Sequence, residues 1–162
     1  MPTELTRDAL VVDTAWSTEQ FERLQAEITA RGGPSGYYHQ YTIRDQAGHV
    51  LRTSGPHPCV AVLASLNRFG YPRDFSGKTV LDIGCNSGFY SFAAKLRGAR
   101  SVLGIDYFQH CVDQALLMRE VLQLDVDFRQ GDGEALSEVV KPSTSFSTPA
   151  LSIIFRTRCS SW

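Results

Sequence analysis

No C-x-x-C pair occurs in this 162-residue chain, although it has four cysteines, Cys59, Cys85, Cys111 and Cys159. That spacing argues against a zinc ribbon or a thioredoxin-like redox motif. Glu4, Arg7 and Asp8 interrupt the opening residues, so these do not read as a signal peptide, and thiols without a secretory leader before them are expected. The expectation is therefore a cytoplasmic protein with reduced cysteines and no metal site. No apolar run approaches bilayer length, which argues against a membrane partner. A basic excess is missing too: 16 Lys and Arg face 17 Asp and Glu, for a net charge of −1. The chain thus has no electrostatic footprint for binding nucleic acid by itself.

Two nucleotide motifs are also absent. A dinucleotide fingerprint counted from Gly84 requires glycine at 86 and glycine or alanine at 89, where Asn86 and Phe89 stand. A phosphate loop ending at Gly77-Lys78-Thr79 would need glycine at 72, where Pro72 stands, and it leads into a strand instead of a helix. A nicotinamide oxidoreductase and a P-loop nucleotidase are both disfavoured.

What is present is Val80-Leu81-Asp82-Ile83-Gly84-Cys85-Asn86-Ser87-Gly88-Phe89-Tyr90. Thr79 to Ile83 is a short buried-strand pattern broken by Asp82, two glycines bracket a turn, and Ser87 stands at the expected N-cap of a helix from Ser87 to Leu96. Strand, glycine turn and helix in that order form a cofactor cradle. Glycine admits close backbone approach, and a helix N-terminus offers N–H groups to an anion. Ser101 to Asp106 reads as a second strand ending in a carboxylate 18 residues past Gly88, near the ribose-binding position of Rossmann-like sheets. A helix from about His110 to Leu124 follows, with Val112, Ala115, Leu116 and Leu122 inward. Val126 to Gln130 is a third strand, and Gly131-Asp132-Gly133 turns off its end.

The stretch Asp82-Ile83-Gly84-Cys85-Asn86-Ser87-Gly88 resembles motif I of class I S-adenosylmethionine (SAM)-dependent methyltransferases, with Asn86 in place of the middle glycine. Its extension Gly84-Cys85-Asn86-Ser87-Gly88-Phe89-Tyr90-Ser91-Phe92 is similar to the subgroup related to transfer-RNA wobble-uridine methyl- and carboxymethyl-transferases, and small-molecule methyltransferases carry similar loops. The resemblance covers about residues 36 to 136. It implies an α/β fold, a Rossmann-like doubly wound sheet, here incomplete at three to four strands, with an N-terminal helical and hairpin extension. The cofactor it implies is SAM. Asp82 would meet the α-amino group, with Gly84, Cys85, Asn86, Ser87 and Gly88 forming the turn and its amides meeting the methionine carboxylate. Asp106 would take the ribose hydroxyls, Tyr107 or Phe108 would stack on adenine, and Asp132 with Gly133 would meet the adenine edge. The two glycines alone would serve any tight turn, and Gly-Asp-Gly is also an ordinary one. A buried strand-end carboxylate such as Asp82 or Asp106 needs a partner.

Around this core the chain divides into 1–76 as an extension, 77–136 as the SAM-binding half-domain and 137–162 as a Ser/Thr-rich irregular tail. In the extension, Leu10 to Val12 suits a short strand, and Ser17-Thr18-Glu19-Gln20 a capping box. The helix after it ends at Gly32-Gly33-Pro34, and its narrow apolar stripe suits a lid or strut. Gly36 to Ile43 and His49 to Arg52 suit a hairpin, and Pro58 opens a helix bearing Val60, Leu63 and Leu66. An aromatic-aromatic-His segment precedes the cofactor domain in the resembled subgroup, so Tyr38 and His39 are the candidate catalytic residues. The competing reading is a packed hairpin with His39 on the surface. Cys85 reads as a small turn residue and not a nucleophile, and His110 fits a helix first turn.

Methyl transfer is expected, to a small-molecule or transfer-RNA acceptor. The alternative is a non-catalytic SAM-binding chain, a degenerate truncated fragment or a partner subunit. After Glu134 the pattern has the form expected of a truncated or frame-shifted gene product. Unless Leu151 to Phe155 supplies a fourth strand, the apolar first strand would keep an unpaired edge.

Overall fold

The structure, a computed structural model, describes residues 4–6, 9–66, 70–132 and 153–156. It forms two units, one of residues 1–73 with 116–124 and one of residues 74–115 with 125–162.

In the second unit, β-branched and apolar residues make Thr79–Ile83 (β7) a strand buried on both faces, as parallel strands are. Ser101–Asp106 (β8), Asp127–Gln130 (β9) and Ile153–Arg156 (β10) complete a sheet in the order β10-β7-β8-β9, every pairing parallel. The chain steps outward from β7 to β9 and then returns to the other side of β7 with β10. This is the doubly wound arrangement, with its switch point between β7 and β10. Ile153–Arg156 thus fills the place beside the first strand, and Ile154 pairs with Leu81. The Rossmann-like α/β expectation holds.

Phe89–Leu96 (α3) links β7 to β8 and buries Phe89, Ser91, Phe92, Ala93 and Ala94. The sequence places the N-cap at Ser87, but the helix begins two residues later and Gly88 is the cap, with φ of 86° and no side-chain cap bond. The turn needs one more residue in left-handed backbone before the helix can start, and glycine is the residue that accepts it. Gln109–Leu122 (α4) follows β8 and buries Val112, Ala115 and Leu122 as expected, with Leu117 and Met118 added and Leu116 only half-buried.

In the first unit, Glu4–Leu5 (β1), Leu10–Val11 (β2), Thr42–Arg44 (β4) and Val50–Arg52 (β5) form a sheet in the order β1-β2-β4-β5. Thr18–Gly32 (α1) carries the capping box in full: Ser17 accepts from the Gln20 amide and the Gln20 side chain accepts from the Ser17 amide. Leu24 and Ile28 are its buried stripe. The β4–β5 hairpin is as read, but His39–Gln40 (β3) leaves it and pairs in parallel with His57–Pro58 (β6). His57 and Pro58 are consequently strand residues, and the next helix, Cys59–Leu66 (α2), starts at Cys59. His39 is buried at 3% exposure, not on the surface.

Candidate functional site

Open parallel sheets bind ligands outside the carboxyl ends of their strands, at the switch point. In this sheet that place is the Gly84–Gly88 turn. Gly84 (φ 72°), Asn86 (φ 51°) and Gly88 (φ 86°) all adopt left-handed backbone. Asn86 tolerates it because its short amide bonds locally. Its Oδ1 accepts the Ser87 amide at 2.7 Å. Asparagine in place of the motif's middle glycine therefore keeps the left-handed backbone of the turn. The turn is pinned to β8, whose Ile105 carbonyl accepts the Gly84 and Cys85 amides at 2.8 and 3.0 Å.

Asp106, at the carboxyl end of β8, is 2% exposed. Its Oδ2 accepts the Asn86 amide at 2.8 Å and its Oδ1 the Phe108 amide at 3.0 Å. One side chain thus holds two loops, and each oxygen keeps a lone pair toward further donors. The Asp106 carbonyl accepts the Gly131 amide at 2.9 Å, which brings the end of β9 and the exposed Asp132 to the same rim. Gly133 lies outside the described residues. Tyr107 and Phe108 stand exposed beside Asp106, edge to face with centroids 5.4 Å apart. Exposed aromatics at a strand end offer a stacking platform.

Asp82 is fully buried. Ser91 donates its hydroxyl to Oδ2 at 2.6 Å and also bonds it through its backbone amide, while Oδ1 has no partner among the described residues. Burial pushes the carboxyl up to about 6, the Ser91 bonds oppose this, and the Asp106 charge adds to it. Burial, with Asp82 and Asp106 behind it, also raises the Cys85 thiol far above its ordinary value. A neutral thiol is no nucleophile.

Ser91, Gly104 and Phe128 belong to this site and escape the sequence reading. A Cβ at Gly104 would lie 2.6 Å from the Phe128 ring and 3.0 Å from Ser91 Oγ, and one at Gly88 would lie 2.7 Å from Phe128 and 2.8 Å from Phe92. Phe128 therefore fills the space that both glycines leave open, edge-on to Phe92 at 5.4 Å. A glycine in mid-strand is the signal that marks such close approach. One sequence expectation changes. The Asn86 and Ser87 amides, assigned to a ligand carboxylate, are spent inside the site on Asp106 and on Asn86 itself.

Tyr38 and His39 stand in the first unit. His57 lies 4.6 Å from Tyr38 between ring centroids, and Tyr38 lies edge-on to His39 at 4.9 Å. Burial, and then the His57 charge, hold His39 down to about 4, so it is neutral at pH 7. No group of three or more His, Cys, Asp or Glu able to hold a metal occurs among the described residues. No described helix is long and apolar enough to cross a membrane.

A family model described as a methyltransferase domain matches residues 74–154. Ribosomal protein L11 methyltransferase of Vibrio vulnificus is 38% identical over 91 residues, 51% of this chain and 28% of that protein. Ubiquinone biosynthesis O-methyltransferase of Pseudomonas putida is 43% identical over 63 residues, 39% of this chain and 27% of that protein. The crystal structure of EvdMO1 matches with a TM-score of 0.50 at 16% identity, covering 77% of this chain and 27% of that one, a likeness of fold. The chain spans less than a third of the length of either curated relative.

Proposed function

This chain belongs to the class I SAM-dependent methyltransferase family, and we propose from that premise that it binds SAM at the Gly84–Gly88 turn and transfers its methyl group. The observation that carries the proposal is Asp106: a buried carboxylate at the switch-point rim that ties the glycine turn to the aromatic loop of the next strand. The residues present fit the cofactor at three of its groups. The partnerless Oδ1 of Asp82 suits an ammonium, the remaining lone pairs of Asp106 suit ribose hydroxyls, and Tyr107 and Phe108 suit adenine. Asp132, on the same rim, is assigned to the adenine amino group.

When bound, SAM supplies a methyl group already activated on a sulfonium. The protein's share is to hold the acceptor atom close and in line. A base is needed only where the acceptor must first lose a proton. Tyr38 and His39 are proposed for that step, and turnover by Tyr38→Phe and His39→Asn tests them.

The Gly84-Cys85-Asn86-Ser87-Gly88-Phe89-Tyr90 loop supports a transfer-RNA uridine acceptor, and the O-methyltransferase relative supports a small molecule. Radiolabelled methyl transfer to bulk transfer RNA, set against a panel of catechols and amines, separates the two. A SAM-binding chain without turnover is the second reading. It is favoured by the roles given to the site residues described in the second unit, which all serve binding of the cofactor's ammonium, ribose and adenine. Calorimetric titration with S-adenosylhomocysteine tests the shared premise. Asp106→Asn should weaken binding by about tenfold or more, since a charged hydrogen bond contributes roughly 1.5–3 kcal/mol. Unchanged affinity removes Asp106 from the site.

A further inference from the structure

Asp82 and Asp106 are the buried carboxylates of the second unit among the described residues, and only in Asp82 do the two oxygens differ so sharply. Oδ2 takes the Ser91 hydroxyl at 2.6 Å, while Oδ1 has no partner among the described residues. Room for this pairing comes from the neighbouring strand. Gly104 pairs with Asp82 in the sheet, and a Cβ there would press to 3.0 Å from Ser91 Oγ. Glycine at 104 is what lets the Ser91 hydroxyl stand against Asp82.

We propose that Ser91 is a positioning residue: by occupying one oxygen of Asp82 it leaves the other, Oδ1, as the acceptor offered to the ammonium group of an amino-acid-bearing cofactor. This rests on the SAM reading above and adds to it a residue that does not touch the ligand. A carboxyl removed from water takes up a proton unless donors favour its charge. Ser91 supplies those donors from α3, and they oppose a burial that holds the group at about 6. The other titratable groups around Asp82 are Asp106 of β8, which disfavours its charge, and Cys85 in the turn, itself coupled to Cys111 of α4. Its partners across the sheet, Gly104 and Phe155, do not titrate. An ammonium is bound by the carboxylate and not by the neutral acid. Affinity should therefore be full above the Asp82 value and decline as pH falls through it. Without the Ser91 hydroxyl that decline should begin at higher pH.

The full chain is titrated calorimetrically with S-adenosylhomocysteine from about pH 5 to about pH 8, a window that spans the Asp82 value. Ser91→Ala should raise the midpoint of the acid decline by about one unit, so that affinity near pH 6 falls about fivefold while values near pH 8 approach wild type. Ser91→Thr, which keeps the hydroxyl, should restore the wild-type midpoint, and Asp82→Asn should give a flat profile. Should Ser91→Ala not fold, Ser91→Cys keeps the volume with a weaker donor and should raise the midpoint by less. A uniform loss at every pH with an unmoved midpoint, in either variant, overturns the proposal and leaves Ser91 a packing residue. No binding by wild type at any pH overturns the SAM reading itself, and this inference with it.

Discussion

Replacing Gly104 by alanine tests the geometry on which the site stands. The backbone there is ordinary strand, so alanine is not strained, and the lower entropy of the unfolded chain would by itself stabilise by about 0.4–1 kcal/mol. Against this, the new methyl would lie 2.6 Å from Cδ1 and Cε1 of Phe128 and 3.0 Å from Ser91 Oγ. Contacts that short require something to move, and Phe128 has little freedom. Its Cζ already lies 2.7 Å from where a Gly88 side chain would start, and Phe92 closes on it edge-on at 5.4 Å. Overpacking of this kind costs about 1–3 kcal/mol, which exceeds the entropic gain. The expected net effect is about 1–2 kcal/mol of destabilisation, read as a lower urea midpoint with an unchanged slope. Phe128→Leu in the same chain should recover part of the loss, because the two positions share one space and cannot act additively. Equal or higher stability of Gly104→Ala alone, or strict additivity in the double variant, would refute the packing argument.

Gly88→Ala should be worse, by about 2–4 kcal/mol, because left-handed backbone strain adds to contacts with both Phe128 and Phe92; urea unfolding checks the ranking. His39 should make the first unit acid-sensitive. Its folded value of about 4 lies below the unfolded 6.5, so the neutral ring contributes stability that is present above 6.5 and lost as pH falls toward 4. Tryptophan fluorescence of a Trp162→Phe chain, which leaves Trp16 as the reporter, should show that decline, and His39→Asn should flatten it. Asp45→Ala should cost the same unit about 1–3 kcal/mol by thermal unfolding, since it strands one buried donor and two half-buried ones. The Trp16 and His49 amides, each 2.7 Å from Asp45, and the His49 ring at 2.9 Å would all lose their acceptor.

Much of the second unit was legible because its signals are local. The β7 apolar run, the two glycines and the acid closing β8 lie in order along the chain, at spacings that can be read without knowing any distant contact. The capping box before α1 is of the same kind: its bonds run between residues three apart. Where the reading failed, the deciding contact came from elsewhere in the chain. Ser87 looks like an N-cap, yet the turn must first satisfy Asp106, 20 positions away from Asn86, and the helix start shifts to Gly88. His39 alternates like a hairpin residue, but pairing with His57 takes it out of that sheet and buries it. Nothing local to Ser91 announces that it faces Asp82, or to Gly104 that it makes room for both Ser91 and Phe128. Those three meet because parallel pairing sets Asp82, Gly104 and Phe128 in one row across β7, β8 and β9. Sequence alone thus determined where the glycine turn lies and which acids flank it. Strand register, which only the assembled sheet decides, set Gly104 beside Asp82 and so let Ser91 take one oxygen of that acid and not the other.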